Sequence, residues 1–454
     1  MKRKIMLIDP YFKEGLKGFP LGLAYVAGAL RKDYEVSVLD LTARATIEQR
    51  EPEVILREKL QEVNPDMVGI TSTSPTHKNA LDVAKVVKEY RDIPVIKGGT
   101  HETNANGMTI RNNSEIDYSV VGEGEETIVK LADRISRGES AGGLEGVIFR
   151  ENDEVVDNGR RALISDLDTL PRPARDLFYL DERFNEYYSA KLFRGKKSTS
   201  IMTSRGCPYS CSFCSSKVNW PGKIRPRSVE NVVEEIEELY SQGFRGFMFE
   251  DDMSLANKEW FLRFAEQTKG LGIEYSLQTR VDAIDEETAK ALSESGCKFM
   301  YFGIESGVQE ILDKCNKRIT LEQAEKAFST ARKYGIRSMA SIQFGLPGED
   351  FENLSTVRET IRTLNERLRP DEVAVSYTCL YPGSPLANQE GVTPEMYEHY
   401  TRTQADGQIY NKTAHGSYSI HPKGLTPEKI EEIERILDSE LEIKRFSVDT
   451  FYKA

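Results

Sequence analysis

The sequence lacks the features by which membrane and nucleic-acid-binding proteins are usually recognised. No apolar run approaches the roughly 20 residues that span a bilayer. The apolar run after the basic start ends at Asp9, too soon for a secretory signal, so we expect a cytoplasmic protein with no membrane segment. Positive charge is in deficit, since 61 Lys and Arg oppose 73 Asp and Glu and leave a net charge of −12. Phosphate neutralisation supplies most nucleic-acid affinity, so this balance predicts a small-molecule substrate and no nucleic acid.

Cysteine is also scarce, and its spacing argues against a disulfide framework. The 454 residues include six cysteines. Three of them, Cys207, Cys211 and Cys214, fall within eight residues, and the other three are scattered. In a cytosolic enzyme such clustering favours a metal site over disulfides.

The chain is too long for one ordinary domain, and its apolar pattern divides it. Short apolar runs alternate with amphipathic helical stretches from about residue 4 to 136, and again from residue 200. Strands separated by single helices form parallel sheets, which bind ligands at the carboxyl ends of their strands. We predict an α/β protein with a Rossmann-like domain at 1–145, a connector at 146–195 that starts with a hairpin and packs aromatic residues against both neighbours, a partial (β/α)6 TIM-type barrel at 196–390, and a small helical region at 391–454.

The cysteine cluster directly follows the first predicted barrel strand, in the segment Arg205-Gly206-Cys207-Pro208-Tyr209-Ser210-Cys211-Ser212-Phe213-Cys214. Three thiolates on one loop can bind three irons of a [4Fe–4S] cluster and leave the fourth iron open to an amino acid. A structural zinc site would need a fourth ligand, and no histidine or further cysteine is near in the sequence. A second alternative is that the three cysteines are ordinary core residues, but core residues are not expected in a polar loop that contains glycine and proline. The sequence therefore predicts a cluster on Cys207, Cys211 and Cys214.

This CxxxCxxC spacing, with aromatic Phe213 before the last cysteine, resembles the signature of the radical SAM superfamily, and the resemblance extends over about Ser200–Pro385. It implies S-adenosylmethionine (SAM) as a cofactor, bound at successive strand ends. A carboxylate is a suitable acceptor for the SAM ammonium. The contacts that the resemblance implies are Phe213 beside the cluster, Glu250 and Asp251 near the amino group, Arg280 at the carboxylate, Glu305 and Ser306 at the ribose, and Gly345 and Leu346 at the adenine.

The amino-terminal domain lacks the G-x-G-x-x-G fingerprint after its first strand, where the sequence reads Asp9-Pro10-Tyr11-Phe12-Lys13-Glu14-Gly15. That absence argues against NAD or FAD. The domain instead resembles the cobalamin-binding domain that precedes the barrel in one large class of radical SAM enzymes, the methyltransferase-like class B. Glycine and hydroxyl groups in its loops would let the backbone approach a corrin edge and a nucleotide tail. The matching residues are Phe19–Tyr25, Ser72, Thr73, Ser74, Gly98, Gly99, His101, Gly122 and Glu123.

The D-x-H-x-x-G motif that supplies a histidine ligand to cobalt in other cobalamin proteins is absent after strand one. The cofactor is therefore expected to bind without a histidine from that motif. We expect His101 at the corrin periphery or the nucleotide loop rather than on the cobalt. A domain that keeps the fold without the cofactor is the alternative.

Two further features are left open by the sequence. The basic segment Lys223–Ser228 either binds a phosphate or carboxylate of a ligand, or only pairs with surface acids. The tyrosines of the carboxyl-terminal region either cover the barrel mouth or pack between that region and the barrel; they are Tyr397, Tyr400, Tyr410 and Tyr418.

The resemblance implies a cobalamin-dependent methyltransferase acting on an unactivated carbon of a small molecule. The reduced cluster would split SAM into methionine and a 5′-deoxyadenosyl radical, the radical would take hydrogen from the substrate, and the substrate radical would accept methyl from methylcobalamin. An electron donor such as flavodoxin or ferredoxin would reduce the system. A cobalamin-dependent cyclase or rearrangement enzyme, a methylthiotransferase-like enzyme and a non-enzymatic cobalamin carrier are the alternatives.

Overall fold

The computed structural model describes residues 2–12, 18–152, 154–403, 410–412 and 418–446, with the backbone alone at 399–403, 410–412 and 418–419. Its two main sheets confirm the predicted α/β architecture of a Rossmann-like domain followed by a partial barrel. No helix within the described ranges has the length and apolar character needed to cross a bilayer.

The amino-terminal sheet has the order β2-β1-β3-β4-β5-β6-β7. The first five strands are parallel, and the last two form an antiparallel hairpin on the sheet edge, so the sheet continues into the residues assigned to the connector. The strands are β1 Lys4–Asp9, β2 Glu35–Asp40, β3 Met67–Thr71, β4 Val95–Gly98, β5 Tyr118–Val120, β6 Val147–Glu151 and β7 Glu154–Asp157.

Helices cover both faces of this sheet, as the alternation of β1 requires. Ile5 and Leu7 point into one apolar layer, whereas Met6 and Ile8 point into the other. The helices are α1 Leu21–Leu30, α2 Leu41–Glu48, α3 Pro52–Val63, α4 His77–Tyr90, α5 Thr100–Ala105, α6 Met108–Asn112 and α7 Gly124–Arg137.

The connector packs its aromatic residues against both neighbours, as predicted. It contains α8, Glu182–Tyr188. The ring of Tyr179 lies 5.4 Å from Phe19 of the amino-terminal domain and 5.1 Å from Phe244 of the barrel. Tyr179 is therefore shared by the two cores, which fixes the domains against each other.

The barrel is a six-stranded parallel sheet in chain order, from β8 to β15, with a two-residue pair β9–β10 beside it. Its strands and that pair are β8 Ser198–Ile201, β9 Ser204–Arg205, β10 Arg225–Pro226, β11 Gly246–Phe249, β12 Glu274–Thr279, β13 Cys297–Glu305, β14 Arg337–Phe344 and β15 Glu372–Tyr377. Its helices are α9 Ser216–Asn219, α10 Val229–Ser241, α11 Lys258–Thr268, α12 Glu286–Ser295, α13 Gln309–Lys314, α14 Leu321–Lys333 and α15 Ser355–Arg362, which continues as a π-helical turn over Thr363–Leu368.

The carboxyl-terminal region holds a helix that completes the barrel core. Ile433, Ile436 and Leu437 of this helix are buried with the barrel's apolar residues. The elements of the region are α16 Pro385–Gln389, α17 Pro394–Thr403, β16 Tyr410–Lys412, β17 Tyr418–Ile420 and α18 Pro427–Glu440.

Candidate cofactor site

A cavity of about 340 Å³ lies where the carboxyl ends of the two sheets meet. Carboxyl edges of parallel sheets are the usual ligand sites of both folds. The amino-terminal domain contributes a floor of glycines, and the barrel contributes polar and aromatic side chains. The lining residues include Gly98, Gly99, Gly122, Glu123 and Glu125 on the side of the amino-terminal domain, and Ser204, Arg205, Asn219, Trp220, Glu250 and Asp252 on the side of the barrel.

The cysteine loop borders this cavity, because Arg205 lines the cavity two residues before Cys207. All three cysteines are half-buried. The backbone amide of Ser212 donates to the carbonyl of Cys315 at 2.9 Å, which pins the middle of the loop. Burial raises the pKa of Cys211, and it raises the pKa of Cys214 to about 11. Thiols bind metal only as thiolates, so occupancy by a metal cluster would release protons here.

The three carboxylates after β11 have different surroundings. Asp251 is fully buried and accepts from the backbone amides of Thr203 at 2.7 Å and Ser204 at 3.0 Å. Burial raises the pKa of Asp251 to about 6. Glu250 and Asp252 face the cavity instead. Asp251 thus holds the backbone ahead of the cysteine loop, whereas its two neighbours face the space where a cationic ligand group would bind.

Arg280, at the end of β12, is held by partners on both sides. Its Nη1 donates to the carbonyl of Lys317 at 2.7 Å, and its other nitrogens pair with Asp282 at 2.9 Å. The guanidinium lies 3.6 Å from the ring centre of Tyr209, in the cysteine loop. A cation stacked on an aromatic face is attracted by the ring. Arg280 therefore supports the cysteine loop directly.

Glu305 stands at an irregularity in the sheet. The register between β13 and β14 shifts between Gly303 and Glu305, and Glu305 has a φ of +75°. A shift of this kind re-aims a side chain. The carboxylate of Glu305 accepts from Lys317 Nζ at 2.7 Å.

The remaining predicted SAM contacts lie around the same strand ends. Ser306 is buried and accepts from the amide of Val308 at 3.2 Å. Gly345 has a φ of +102°, which favours glycine. Leu346 packs in a small apolar cluster that Phe213 joins. Leu346 thus supports the cysteine loop through Phe213.

The amino-terminal loops divide into those that line the cavity and those that do not. Gly98, Gly99 and Gly122 line it. Gly99 has a φ of +101°, and a Cβ there would meet the carbonyl oxygen of Ser72 at 2.4 Å, so only glycine fits. Among the predicted contacts, Ser72, Thr73, Ser74 and His101 lie outside the cavity lining.

His101 belongs to a buried group that we call the imidazole cluster, made of His77, His101 and Glu398 of α17. Glu398 Oε1 lies 3.0 Å from His77 Nε2 and 3.4 Å from His101 Nε2, and the two rings stack at 3.8 Å. Lys97 Nζ is 3.0 Å from His77 Nδ1. Burial lowers the pKa of His101 and lowers that of His77 to about 3, so both imidazoles are neutral.

A metal ion does not suit the imidazole cluster. The ammonium of Lys97 donates to His77 Nδ1, so the proton of the neutral ring stays on Nε2, the atom a metal would need. The cluster instead ties the start of α4 and α5 to α17, since the Nε2 atoms of both rings approach Glu398 Oε1.

A second buried group joins the two domains, and we call it the guanidinium cluster: Arg205, Arg225, Glu123 and Glu125. Arg205 Nη1 donates to Glu123 Oε1 at 2.6 Å, and its Nη2 donates to Glu125. Arg225, paired with Arg205 in the β9–β10 ladder, donates to Glu123 Oε2 at 2.9 Å. Burial alone would raise the pKa of Glu123, but the two arginines outweigh it and hold that pKa below its ordinary value.

Most members of the two clusters were not predicted from the sequence as parts of a site. Glu123 was expected on the cofactor, and the structure bonds it to Arg205 and Arg225 as well as placing it at the cavity. The basic segment does form ion pairs, but with buried acids instead of surface acids: Arg225 pairs with Glu123, and Arg227 pairs with Glu235 at 2.6 Å. One signal was present in the sequence: Lys97 is a charged residue inside an otherwise apolar strand.

Of the four tyrosines, Tyr397 is buried, with its ring 6.0 Å from His101 and 6.5 Å from Tyr381. That position favours packing between the carboxyl-terminal region and the domains. The side chains of Tyr400, Tyr410 and Tyr418 lie outside the described residues.

A three-cysteine loop after the first strand of a partial parallel barrel defines a radical SAM enzyme. The radical SAM superfamily model matches residues 201–364, and the B12 binding domain model matches residues 13–132. The chain belongs to the radical SAM enzymes that carry a B12-binding domain.

Its relatives include an uncharacterized methyltransferase, PH0819, from Pyrococcus horikoshii, 35% identical over 84% of this chain and 82% of that protein. An anaerobic magnesium-protoporphyrin IX monomethyl ester cyclase from Rubrivivax gelatinosus is 29% identical over 87% of this chain and 71% of that protein. Among solved structures, the radical SAM methyltransferase TsrM from Kitasatospora setae, with tryptophan substrate and a SAM analog bound, has a TM-score of 0.75 at 21% identity and covers 99% of this chain and 92% of that chain. This last likeness shows the shared fold.

Proposed function

We propose that this protein is a cobalamin-dependent radical SAM methyltransferase that methylates an unactivated carbon of a small molecule. The observation that carries the proposal is the cavity shared by the two sheets, with the cysteine loop at its border. The [4Fe–4S] cluster supplies the electron that cleaves SAM, and cobalamin supplies the methyl group. The protein supplies the relative orientation of the two cofactors and the substrate.

The residues around the cavity fit an amide-rich corrin ligand. Asn219 Oδ1 and Glu125 Oε2 are buried atoms with no hydrogen-bond partner in the described part of the chain, and both residues line the cavity. Buried polar atoms are normally paired, and the side-chain amides of cobalamin offer donors and acceptors to them. The glycine floor lets a planar ring approach the backbone.

The barrel side fits SAM and a cluster. Cys207, Cys211 and Cys214 would hold three irons, and the carboxylates of Glu250 and Asp252 would accept the SAM ammonium. Both side chains are exposed to the cavity, and desolvation by the surrounding protein raises the pKa of both carboxyls, which an ammonium partner would reverse. In the loop, Pro208 and Ser210 are exposed, so an electron donor such as flavodoxin or ferredoxin has access to the cluster. We place the enzyme in the cytoplasm, where thiols stay reduced.

The test is anaerobic reconstitution with iron, sulfide and hydroxocobalamin, followed by metal analysis and product analysis with SAM and a reductant. About four irons and near-stoichiometric cobalt per chain are expected, with S-adenosylhomocysteine and 5′-deoxyadenosine among the products. The matched control is Cys211→Ala, which should lose the iron and the deoxyadenosine. Four irons without cobalt would contradict the methyltransferase proposal and leave a radical SAM enzyme.

A second candidate is a cobalamin-dependent cyclase or rearrangement enzyme, and the cyclase relatives are the observation in its favour. The two candidates differ in what happens to SAM. Methyl transfer consumes a methyl group and leaves S-adenosylhomocysteine, whereas cyclisation yields methionine and 5′-deoxyadenosine alone. Product analysis in the experiment above therefore separates them.

A further inference from the structure

The guanidinium cluster connects the loop that lines the cofactor cavity to the loop that carries the three cysteines. Glu123 and Glu125 lie after β5, at the start of α7, and Arg205 lies two residues before Cys207. Gly206, between Arg205 and the first cysteine, has a φ of +98° and donates its amide to Asp252 at 3.2 Å. A shift of Arg205 is therefore passed directly to the cysteine loop.

We propose that Arg205 is a positioning residue that couples the cobalamin site to the iron–sulfur site through Glu123 and Glu125. The consequence is a measurable linkage: assembly of the cluster tightens cobalamin binding, and cobalamin tightens cluster retention by the same factor. The inference rests on the proposed function, since both cofactors must bind the protein for the linkage to exist.

The contacts of Arg205 suit this role because they fix its guanidinium from every side. A planar fork can hold two carboxylates at once with fixed geometry, which a lysine ammonium cannot. The guanidinium also lies 5.6 Å from the ring centre of Tyr25 and 5.5 Å from that of Trp220, both of which line the cavity. Arg205 is 7% exposed, so water does not weaken these contacts.

Glu123 is in turn fixed by three neighbours. It accepts from Arg205, from Arg225 and from the backbone amide of Ile164 at 2.6 Å. Both arginines belong to the β9–β10 pair of the barrel half, and Ile164 belongs to the connector. The loop after β5 therefore takes its position from the barrel and the connector together, and that loop contributes Gly122 to the cavity floor.

The experiment measures the affinity of hydroxocobalamin for the full chain by equilibrium dialysis, once with the cluster reconstituted and once with cluster-free protein. The variants are Arg205→Gln, which removes the ion pairs, and Arg205→Lys, which keeps the charge without the fork. Glu125→Gln weakens the contact between Arg205 and Glu125. This variant replaces the arginine variants in the experiment if they do not fold. The control is Arg31→Gln, which breaks an exposed two-point pair with Asp176 at 2.8 Å.

In the unchanged protein, the cluster is expected to tighten cobalamin binding about tenfold, within the usual range for coupled sites. Arg205→Gln should reduce that factor to near one, and Arg205→Lys and Glu125→Gln should give intermediate factors. Arg31→Gln should retain the full factor. The same variants should lower the yield of S-adenosylhomocysteine relative to 5′-deoxyadenosine, because the first product needs both cofactors in register and the second needs only the cluster.

Two results would overturn the inference: no dependence of cobalamin affinity on the cluster in the unchanged protein, or the same dependence in all the variants. Both differ from a failure of the proposed function, in which cobalamin does not bind at all. A role of Arg205 in folding alone would lower the yield of protein without changing the ratio of the two affinities.

Discussion

The guanidinium cluster and the imidazole cluster both connect distant parts of the chain, but they differ in the charges of their side chains. Each ties loops of the B12-binding domain to a part of the chain that follows much later: Arg205 is 82 residues from Glu123, and Glu398 is 297 residues from His101. The guanidinium cluster is built from full charges of both signs. The imidazole cluster is built from neutral rings around one carboxylate, with Lys97 and Glu102 behind it.

Because of this difference in charge, the stability of the two clusters should depend differently on pH. Guanidinium groups stay protonated at every pH a protein meets, so the contact next to the cysteines holds one state. Imidazoles change protonation within the accessible range once the chain unfolds. The contact near the reactive centre thus changes only when its carboxylates become protonated, whereas the contact that fixes α17 begins to lose stability as soon as the pH falls below the ordinary pKa of histidine.

The largest effect is expected when the guanidinium cluster loses its shared carboxylate. Glu123→Ala leaves Arg225 without its carboxylate partner and Arg205 with Glu125 alone. Removing one partner of a buried ion pair costs about 3–5 kcal/mol, and we expect that loss in the free energy of unfolding. Denaturant unfolding followed by circular dichroism, on protein without cofactors, measures it. The isosteric Glu123→Gln keeps hydrogen-bond acceptance and should lose less; a loss equal to that of Glu123→Ala would show that the charge, which both variants remove, carries the stabilisation, and no loss at all in Glu123→Gln would show that the charge is unimportant.

The fold could be predicted from the sequence because both sheets repeat a local pattern. Each strand of the barrel is a short apolar run followed by an amphipathic helix, and the cysteine spacing marks the first strand end. The glycines that line the cavity were also predictable, since Gly98, Gly99 and Gly122 follow predicted strands and glycine at strand ends permits close approach.

The partners of the charged residues could not be predicted in the same way. Asp251 and Glu250 are adjacent in sequence, yet one is buried against Thr203 and the other faces the cavity. Asp251 is the buried carboxylate because the backbone amides of Thr203 and Ser204 lie beside it. The position of that backbone depends on how the strands pack, which the local sequence does not show. The pairing of Glu123 with Arg205 depends on how two domains meet, which no local pattern encodes.

The second prediction concerns the loss of folding stability at acidic pH. In the folded protein the pKa of His77 is about 3 and that of His101 is also lowered, whereas both are about 6.5 in an unfolded chain. Below pH 6.5 the unfolded chain therefore binds protons that the folded chain does not, so stability is full above that pH and is lost as the pH falls toward 3. At pH 5.5 His77 should account for about 1.4 kcal/mol of lost stability, and His101 should add to that loss.

Unfolding measured at pH 7.5 and pH 5.5 tests this sign. The double variant His77→Gln with His101→Gln should show a smaller loss on acidification than the unchanged protein, by at least about 1.4 kcal/mol. Glu123→Gln, in the other cluster, should leave the pH dependence unchanged over this interval. An equal loss in the double variant would place the acid sensitivity elsewhere.

A smaller effect is expected from Glu398→Gln. The amide oxygen can still accept from Thr109 Oγ1, which lies 3.0 Å from Glu398 Oε1, and from the imidazoles. Hydrogen bonds to a charged acceptor are stronger than those to a neutral one, so the free energy of unfolding should fall by about 1 kcal/mol. Denaturant unfolding at pH 7.5 measures it, and a loss as large as that of Glu123→Ala would remove the contrast between the clusters.

The last prediction is that the imidazole cluster binds no zinc. His77, His101 and Glu398 bring three ligand atoms within 4.8 Å of one another, a set that zinc accepts elsewhere. Here the ammonium of Lys97 on His77 Nδ1 keeps the proton on Nε2, the atom that a zinc ion would need. Protein with Cys207, Cys211 and Cys214 all replaced by alanine, incubated with zinc and desalted, should retain far less than one zinc per chain by mass spectrometry. One zinc per chain that is lost on His77→Gln would show instead that the cluster is a metal site, with Lys97 releasing its proton as the ion binds.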